Sequence, residues 1–277
     1  MSISGALNIA GITDVGRMRS HNEDSISTDE EVGLVVLADG MGGYKAGEVA
    51  SGIATSLIMS EVKEALGVLN PGDVDDESGF SAESLLMEKS AISANKAIYE
   101  TSQSQSRLSG MGTTLVTALF YDNRVTIAHV GDSRLYRLRG EHFEQITRDH
   151  SLLQELVDRG FYTEEEAKNS NKKNVVTKAL GVDADVAPEV QEEVCLENDV
   201  YLLCSDGLND MVEDCDIHMV IKTLSGNIQL AAEQLVEMAN DLGGKDNISV
   251  ILVKILKPFP ASKGWFSRFS NWLDWFK

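Results

Sequence analysis

Apolar residues run almost unbroken through Val32 to Ala38, Val125 to Val130, Val200 to Cys204 and Ile248 to Ile255. Short runs of this kind, rich in Val, Leu and Ile and bounded by turn residues, predict strands. Residues 5–12 predict a further strand, and strand signals recur over residues 187–204. Between Thr113 and Leu138 the pattern predicts two strands joined by Asp122-Asn123, a turn-forming pair at hairpin spacing. Helical spacing takes over from Ala46 to Val68, just after Gly42-Gly43, and again from about Ala82 to Ser104, where Leu85, Leu86, Ile92 and Ile98 recur among polar residues. Leu69 to Ser81, rich in Asp, Gly and Ser, separates these helices as a loop. A more polar, helical stretch covers 149–181, and a last helix covers Ile228 to Leu242. This order predicts a β-sandwich flanked by helices rather than a doubly wound parallel sheet.

The C-terminal segment follows a different pattern. Lys257-Pro258-Phe259-Pro260 ends the last strand, and beyond it Trp265, Phe269, Trp272, Leu273 and Phe276 repeat at helical spacing. Lys257, Lys263, Arg268 and Lys277 against Asp274 leave this segment at +3, whereas the whole chain carries −20. Residues 1–256 are therefore read as one domain and 257–277 as a proline-containing linker and aromatic amphipathic tail. The tail has three candidate roles: packing on its own domain, lying at a membrane surface, or holding a partner.

A length of 277 residues suffices for one domain with a substantial core. The acidic balance argues against nucleic acid as a partner, because phosphate neutralisation needs clustered Lys and Arg. Cys195, Cys204 and Cys215 show no CxxC spacing, and Cys204 falls inside an apolar run, so a reducing cytoplasm fits. Met1-Ser2-Ile3-Ser4-Gly5 has no basic region ahead of an apolar stretch, so no secretory signal is expected.

The chemistry lies in acidic motifs set mostly where strand-like runs meet glycine turns: Asn22-Glu23-Asp24, Asp39-Gly40-Met41-Gly42-Gly43, Gly131-Asp132-Ser133-Arg134, Ser205-Asp206-Gly207 and Gly244-Lys245-Asp246-Asn247. Carboxylates at the ends of neighbouring strands can converge, and unpaired they would repel by about 4 kcal/mol per pair at roughly 4 Å and an effective dielectric near 20. Hard divalent cations, which take oxygen ligands, answer that repulsion.

With Thr13 to Asp24 and Gly112-Thr113-Thr114, these motifs stand in the order of those of the type-2C, metal-dependent serine/threonine protein phosphatases, bacterial type, which the chain resembles over about residues 7–255. The resemblance implies a central sandwich of two antiparallel sheets with helices on both outer faces (αββα, a mixed α/β or α+β fold). It implies two core Mn2+ or Mg2+ ions and a third, weaker one. Asp39 would bridge the core ions with the Gly40 carbonyl assisting, and Asp206 and Asp246 would complete one shell. Glu23 and Asp24 would act mostly through water, and Asp132 with Asp206 matches the third position. Arg19 matches the phosphate-binding arginine, with Arg17 its nearby competitor.

The implied reaction is hydrolysis of phosphoserine or phosphothreonine by in-line attack of a hydroxide bridging two ions about 3.5–4 Å apart, with no phosphoenzyme. Many eukaryotic relatives have His where this chain has Met41, and a thioether donates no proton. A metal-bound water is the expected acid, ahead of His21 and His150. Residues 149–181 resemble the family's flap, and Lys168, Lys172, Lys173 and Lys178 make its 168–178 part basic. The implied partners are phosphoproteins, substrates of a cognate bacterial-type kinase, and the implied location is cytoplasmic, with the tail as a route to the inner membrane. Two other classes compete: a non-catalytic phosphoprotein-binding module of the same fold, and another two-metal phosphoesterase. Intact Asp39, Asp206, Asp246 and Arg19 weigh against the first, and the acidic balance weighs against a nuclease.

Overall fold

The apolar runs are continuous because each central strand is covered on both faces. In a computed structural model, which describes residues 3–43, 46–69, 73–75, 79–168 and 175–261, successive residues of these strands enter different cores. From β3 (Leu34–Met41), Leu34, Val36 and Ala38 pack under helices α1 (Ala46–Leu66) and α2 (Ala82–Ser104), while Val35 and Leu37 face the space between the sheets. From β11 (Ile248–Ile255), Ile248, Val250 and Leu252 pack under α6 (Asp214–Thr223) and α7 (Ile228–Asp241), while Ile251, Val253 and Ile255 face inward. The period-2 alternation of strands thus builds three stacked cores and four layers, the expected helix–sheet–sheet–helix arrangement.

The first sheet adds β1 (Leu7–Asp14), β7 (Arg134–Arg139), β8 (His142–Gln145) and β10 (Val200–Cys204) to β11, in the order β1-β11-β10-β7-β8. The second adds β2 (Asp24–Asp29), β5 (Leu115–Tyr121), β6 (Arg124–Val130) and β9 (Glu189–Val194) to β3, in the order β2-β3-β5-β6-β9, with the short β4 (Gly112–Thr113) also pairing with β3. Every pairing is antiparallel. Short helices α3 (Leu152–Asp158) and α4 (Glu164–Lys168) lie in the segment after β8, and α5 (Asp206–Asn209) follows β10.

Helix α2 matches its predicted bounds because Ser81 caps it, its side chain accepting from the Ser84 amide at 3.1 Å. Other elements depart from expectation. The two strands read between Thr113 and Leu138 are β5 and β6, and β7 is a further strand beyond the Gly131-Asp132-Ser133 turn. Strands β2 and β8 and helix α6 appear where no element was read, while the strand signals of residues 187–204 divide into β9 and β10.

The hairpin residues Asp122 and Asn123 take φ of 42° and 57°, as a tight primed turn requires. The same turn holds the end of the described chain: Asn123 Oδ1 accepts the Phe259 amide at 2.7 Å and Asp122 Oδ1 accepts the Ala261 amide at 2.8 Å. Phe259 is buried in the inter-sheet core, so residues up to 261 pack with the body. The aromatic tail read from Trp265 to Phe276 lies outside the described residues. Asn123→Ala loses both the left-handed preference and the Phe259 bond, and is expected to cost about 1–3 kcal/mol of stability, measured by urea denaturation.

Candidate active site

Both sheets deliver carboxylates to one end of the sandwich. Asp24 opens β2 and stands opposite Asp39 in the antiparallel register with β3. Asp132 sits in the crossing from β6 in one sheet to β7 in the other, Asp206 follows β10 directly, and Asp246 leads into β11. Five acids separated by as many as 222 positions (Asp24 to Asp246) therefore meet by topology.

Their electrostatics record the crowding. Burial first, then Asp24, Asp206, Asp132 and Asp246, hold the Asp39 carboxyl well above the usual carboxylate range. Burial first, then Asp132, Asp246, Asp210 and Asp24, do the same to Asp206. Asp132 is pushed up to about 6 by burial and then by Asp149. Burial also raises Asp24, with the Ser249 and Ser205 hydroxyls opposing, and raises Glu23, with Arg19 opposing.

Asp24 tests whether a cation fits. Its Oδ2 accepts from Ser205 Oγ at 2.9 Å and Ser249 Oγ at 2.6 Å, while its Oδ1 is buried without a hydrogen-bond partner. An orphaned carboxylate oxygen among other carboxylates is costly unless positive charge meets it. The donors here are oxygens throughout, the set that Mg2+ and Mn2+ take. The residues fit hard divalent cations.

Arg19 stands half-exposed beside the cluster, its Nη2 donating to Asp246 Oδ2 at 2.6 Å. Arg17 contributes a backbone bond to the same loop, its amide donating to the Gly244 carbonyl at 2.8 Å. Asn247 holds that loop in place. Its Nδ2 donates to the carbonyls of Val15 and His21, each at 2.9 Å, and its Oδ1 accepts the Glu23 amide at 2.8 Å. Asp14 is a turn residue, its Oδ1 accepting from the Gly16 amide at 2.8 Å and Asn240 Nδ2 at 3.1 Å.

Glycine at position 40 answers a close backbone approach rather than a backbone conformation. It does not adopt a positive φ. A Cβ there would instead strike the backbone carbonyls of Gly47 and Glu23, so glycine permits the start of α1 to close on the end of β3.

A family model described as Protein phosphatase 2C matches residues 17–238. The chain belongs to the protein phosphatase 2C family. It is 38% identical over 245 residues to the serine/threonine phosphatase stp of Listeria monocytogenes, covering 87% of this chain and 93% of that one. A crystal structure of the Mycobacterium tuberculosis serine/threonine phosphatase PstP/Ppp superposes with a TM-score of 0.80 at 34% identity, covering 91% of this chain and 99% of that one. Another, of the PstP catalytic domain in complex with two manganese ions, superposes with a TM-score of 0.77 at 34% identity and the same coverages.

Several residues of this phosphatase's site were not read as functional from sequence. Ser205 and Ser249 orient Asp24, and Thr114 accepts the Asp39 amide on its Oγ1 at 3.0 Å. Ser249 had a signal, since it is a hydroxyl near the start of a strand whose next four residues are all apolar. Met41 continues β3 past Gly40. The two described lysines of the flap-like stretch are Lys168 and Lys178, while Lys172 and Lys173 lie outside the described residues.

Proposed function

We propose that the phosphatase removes phosphate from phosphoserine and phosphothreonine side chains of proteins, with Asp39, Gly40, Asp206, Asp246, Glu23, Asp24 and Asp132 holding Mn2+ or Mg2+ and Arg19 receiving the phosphate. The observation that carries this reading is the convergence of five aspartates, one with an orphaned oxygen, beside a half-exposed guanidinium. Bound there, divalent cations supply an acidified water as nucleophile and positive charge against the phosphoryl oxygens.

The chain's own groups do the rest. Arg19 presents a planar fork, which suits two phosphoryl oxygens, and reaches them by exchanging its bond to Asp246. Asp39 and Asp206 would hold the cations from strand ends fixed in two different sheets. The Asn247 side chain holds Arg19's loop and Glu23 against β11's lead-in, so phosphate and carboxylates stay in register.

Neither buried cysteine supplies a nucleophile to this chemistry. Cys195 and Cys204 are buried, and burial pushes both thiols up to about 12, far from thiolates at neutral pH. His150 is also removed as a proton donor to substrate, because its ring faces the Gly131 amide and Glu189.

We further propose a cytoplasmic setting in which the enzyme opposes a bacterial-type serine/threonine kinase. The three free cysteines accord with a reducing compartment, and no helix among the described residues is long and apolar enough to cross a membrane.

The test is hydrolysis of a phosphothreonine peptide with Mn2+, alongside chelator and an Asp206→Asn variant. Phosphate release lost in both controls is the expected result. Mn2+ binding by the intact chain without turnover would replace the enzyme with a phosphoprotein-binding module.

A further inference from the structure

A second group of metal-binding side-chain types lies outside the acidic cluster. Ligand atoms of His129, His150 and Glu189 fall within 4.8 Å of one another. The hydrogen bonds of His150 leave it no nitrogen for a cation. The Gly131 amide donates to His150 Nδ1 at 3.0 Å, so that nitrogen carries no proton. The ring proton then sits on Nε2, which faces Glu189 Oε2 at 3.2 Å. A histidine bonded this way could ligate through Nε2 only as an imidazolate. His129 Nε2 lies 2.9 Å from the Arg148 carbonyl, a bond that only a protonated nitrogen makes. Burial lowers the pKa of both rings, in keeping with neutral imidazoles.

The geometry points instead to a latch: we propose that His150 is a positioning residue that ties the root of the 149–181 segment to the turn carrying Asp132. His150 grips Gly131 twice. Its ring accepts the Gly131 amide, and its own amide donates to the Gly131 carbonyl at 2.9 Å. Its carbonyl in turn accepts the Thr177 amide at 2.8 Å, and Ser151 pairs with Val176, so the outgoing and returning arms of the segment close on this residue. Stacking on His129, with centroids 4.8 Å apart and planes 13° from parallel, fixes the ring.

The hold extends to both sides of Asp132. Asp149 accepts a fork from Arg134, Nε at 3.0 Å and Nη2 at 2.7 Å. Next to Asp132 itself, Ser133 Oγ bonds Thr114 Oγ1 at 2.7 Å, and Thr114 Oγ1 accepts the Asp39 amide at 3.0 Å. The turn is thus suspended between the root of the segment and the central carboxylate. Gly131 needs this, because a glycine at φ 106° has the greatest freedom to lose and does not hold a turn unaided. Without the imidazole, its buried amide also loses its acceptor.

This inference rests on reading Asp132 as a cation ligand, and its test separates the two. The full chain is compared with His150→Leu, His150→Asn and Asp132→Asn, by hydrogen exchange at the Gly131 amide without metal and by calorimetric titration with Mn2+. Leucine removes the acceptor, whereas asparagine offers Oδ1 where Nδ1 stood. His150→Leu should speed Gly131 exchange and weaken the weakest Mn2+ step by about tenfold or more, the range for residues that orient a ligand, leaving the tighter steps unchanged. His150→Asn should restore both. Unchanged Gly131 exchange in His150→Leu, or an asparagine variant as impaired as the leucine one, overturns the latch. An Asp132→Asn variant that binds Mn2+ like wild type overturns the ligand reading of Asp132, and Gly131 exchange then judges the latch alone.

Discussion

Asp39→Asn is expected to lower kcat/KM for a phosphopeptide by about a thousandfold or more, while making the chelator-treated protein more stable than wild type. The loss follows from the position of Asp39 among Asp24, Asp132, Asp206 and Asp246. A central ligand to catalytic cations carries several kcal/mol of transition-state stabilisation, and each 1.36 kcal/mol, roughly, is a factor of ten. The gain follows from the same crowding. With no cation present, Asp39 is held well above the usual carboxylate range by burial and by its neighbours' charges, so its ionised form costs folding energy at neutral pH. Asparagine keeps the volume and removes the charge. It also keeps the backbone bonds, since Thr114 and Thr113 hold Asp39 by its amide and carbonyl. Relief of about 1 kcal/mol would raise the melting temperature by about 2–4 °C in a chain of this size. Thermal melts in chelator and kinetics in Mn2+ check both halves, and a variant less stable than wild type in chelator would contradict the crowded-charge account.

Arg19→Ala is expected to reduce kcat/KM by about a hundredfold, comparable to removing one preorganised donor to a developing charge. Arg19→Lys should recover only part, because an ammonium lacks the fork that matches two phosphoryl oxygens. Folding should scarcely change. The Arg19–Asp246 pair has side chains 50% and 34% exposed, and ion pairs at such sites contribute about 0–1 kcal/mol. Cation affinity should not fall either, since wild-type Arg19 competes for the Asp246 oxygen that a cation would use. Steady-state kinetics with a parallel Mn2+ titration distinguish the roles: weaker Mn2+ binding in Arg19→Ala would mean that Arg19 organises the carboxylates rather than the phosphate.

How far the fold could be read in advance depended on where each strand's faces go. Strands β3, β10 and β11 are buried on both sides and announce themselves as apolar runs. Strand β2 does not, because Asp24-Ser25-Ile26-Ser27-Thr28-Asp29 has one apolar residue and lies at a sheet edge. Strand β7 was hidden by Arg134, Arg137 and Arg139, whose charges become tolerable only through partners distant in sequence: Asp149, Glu144 and Glu193, and Asp199. The site divides the same way. Its carboxylates stand at strand ends beside glycines and could be picked out, but Asn247, Ser205 and Ser249 act on residues 181 to 232 positions away. No local pattern encodes such contacts. They follow from strand order, which pairs β11 with both β1 and β10.

The anchorage of Phe259 gives the molecule a front and a back. Strand β6 runs from the hairpin that holds Phe259 and Ala261 to the turn of Asp132, a span of about 20 Å at roughly 3.3 Å per residue. Ala261, the last described residue, therefore sits at the pole away from the carboxylates. Substitutions at the hairpin and at the carboxylates therefore act on opposite poles, and their effects on stability should add independently.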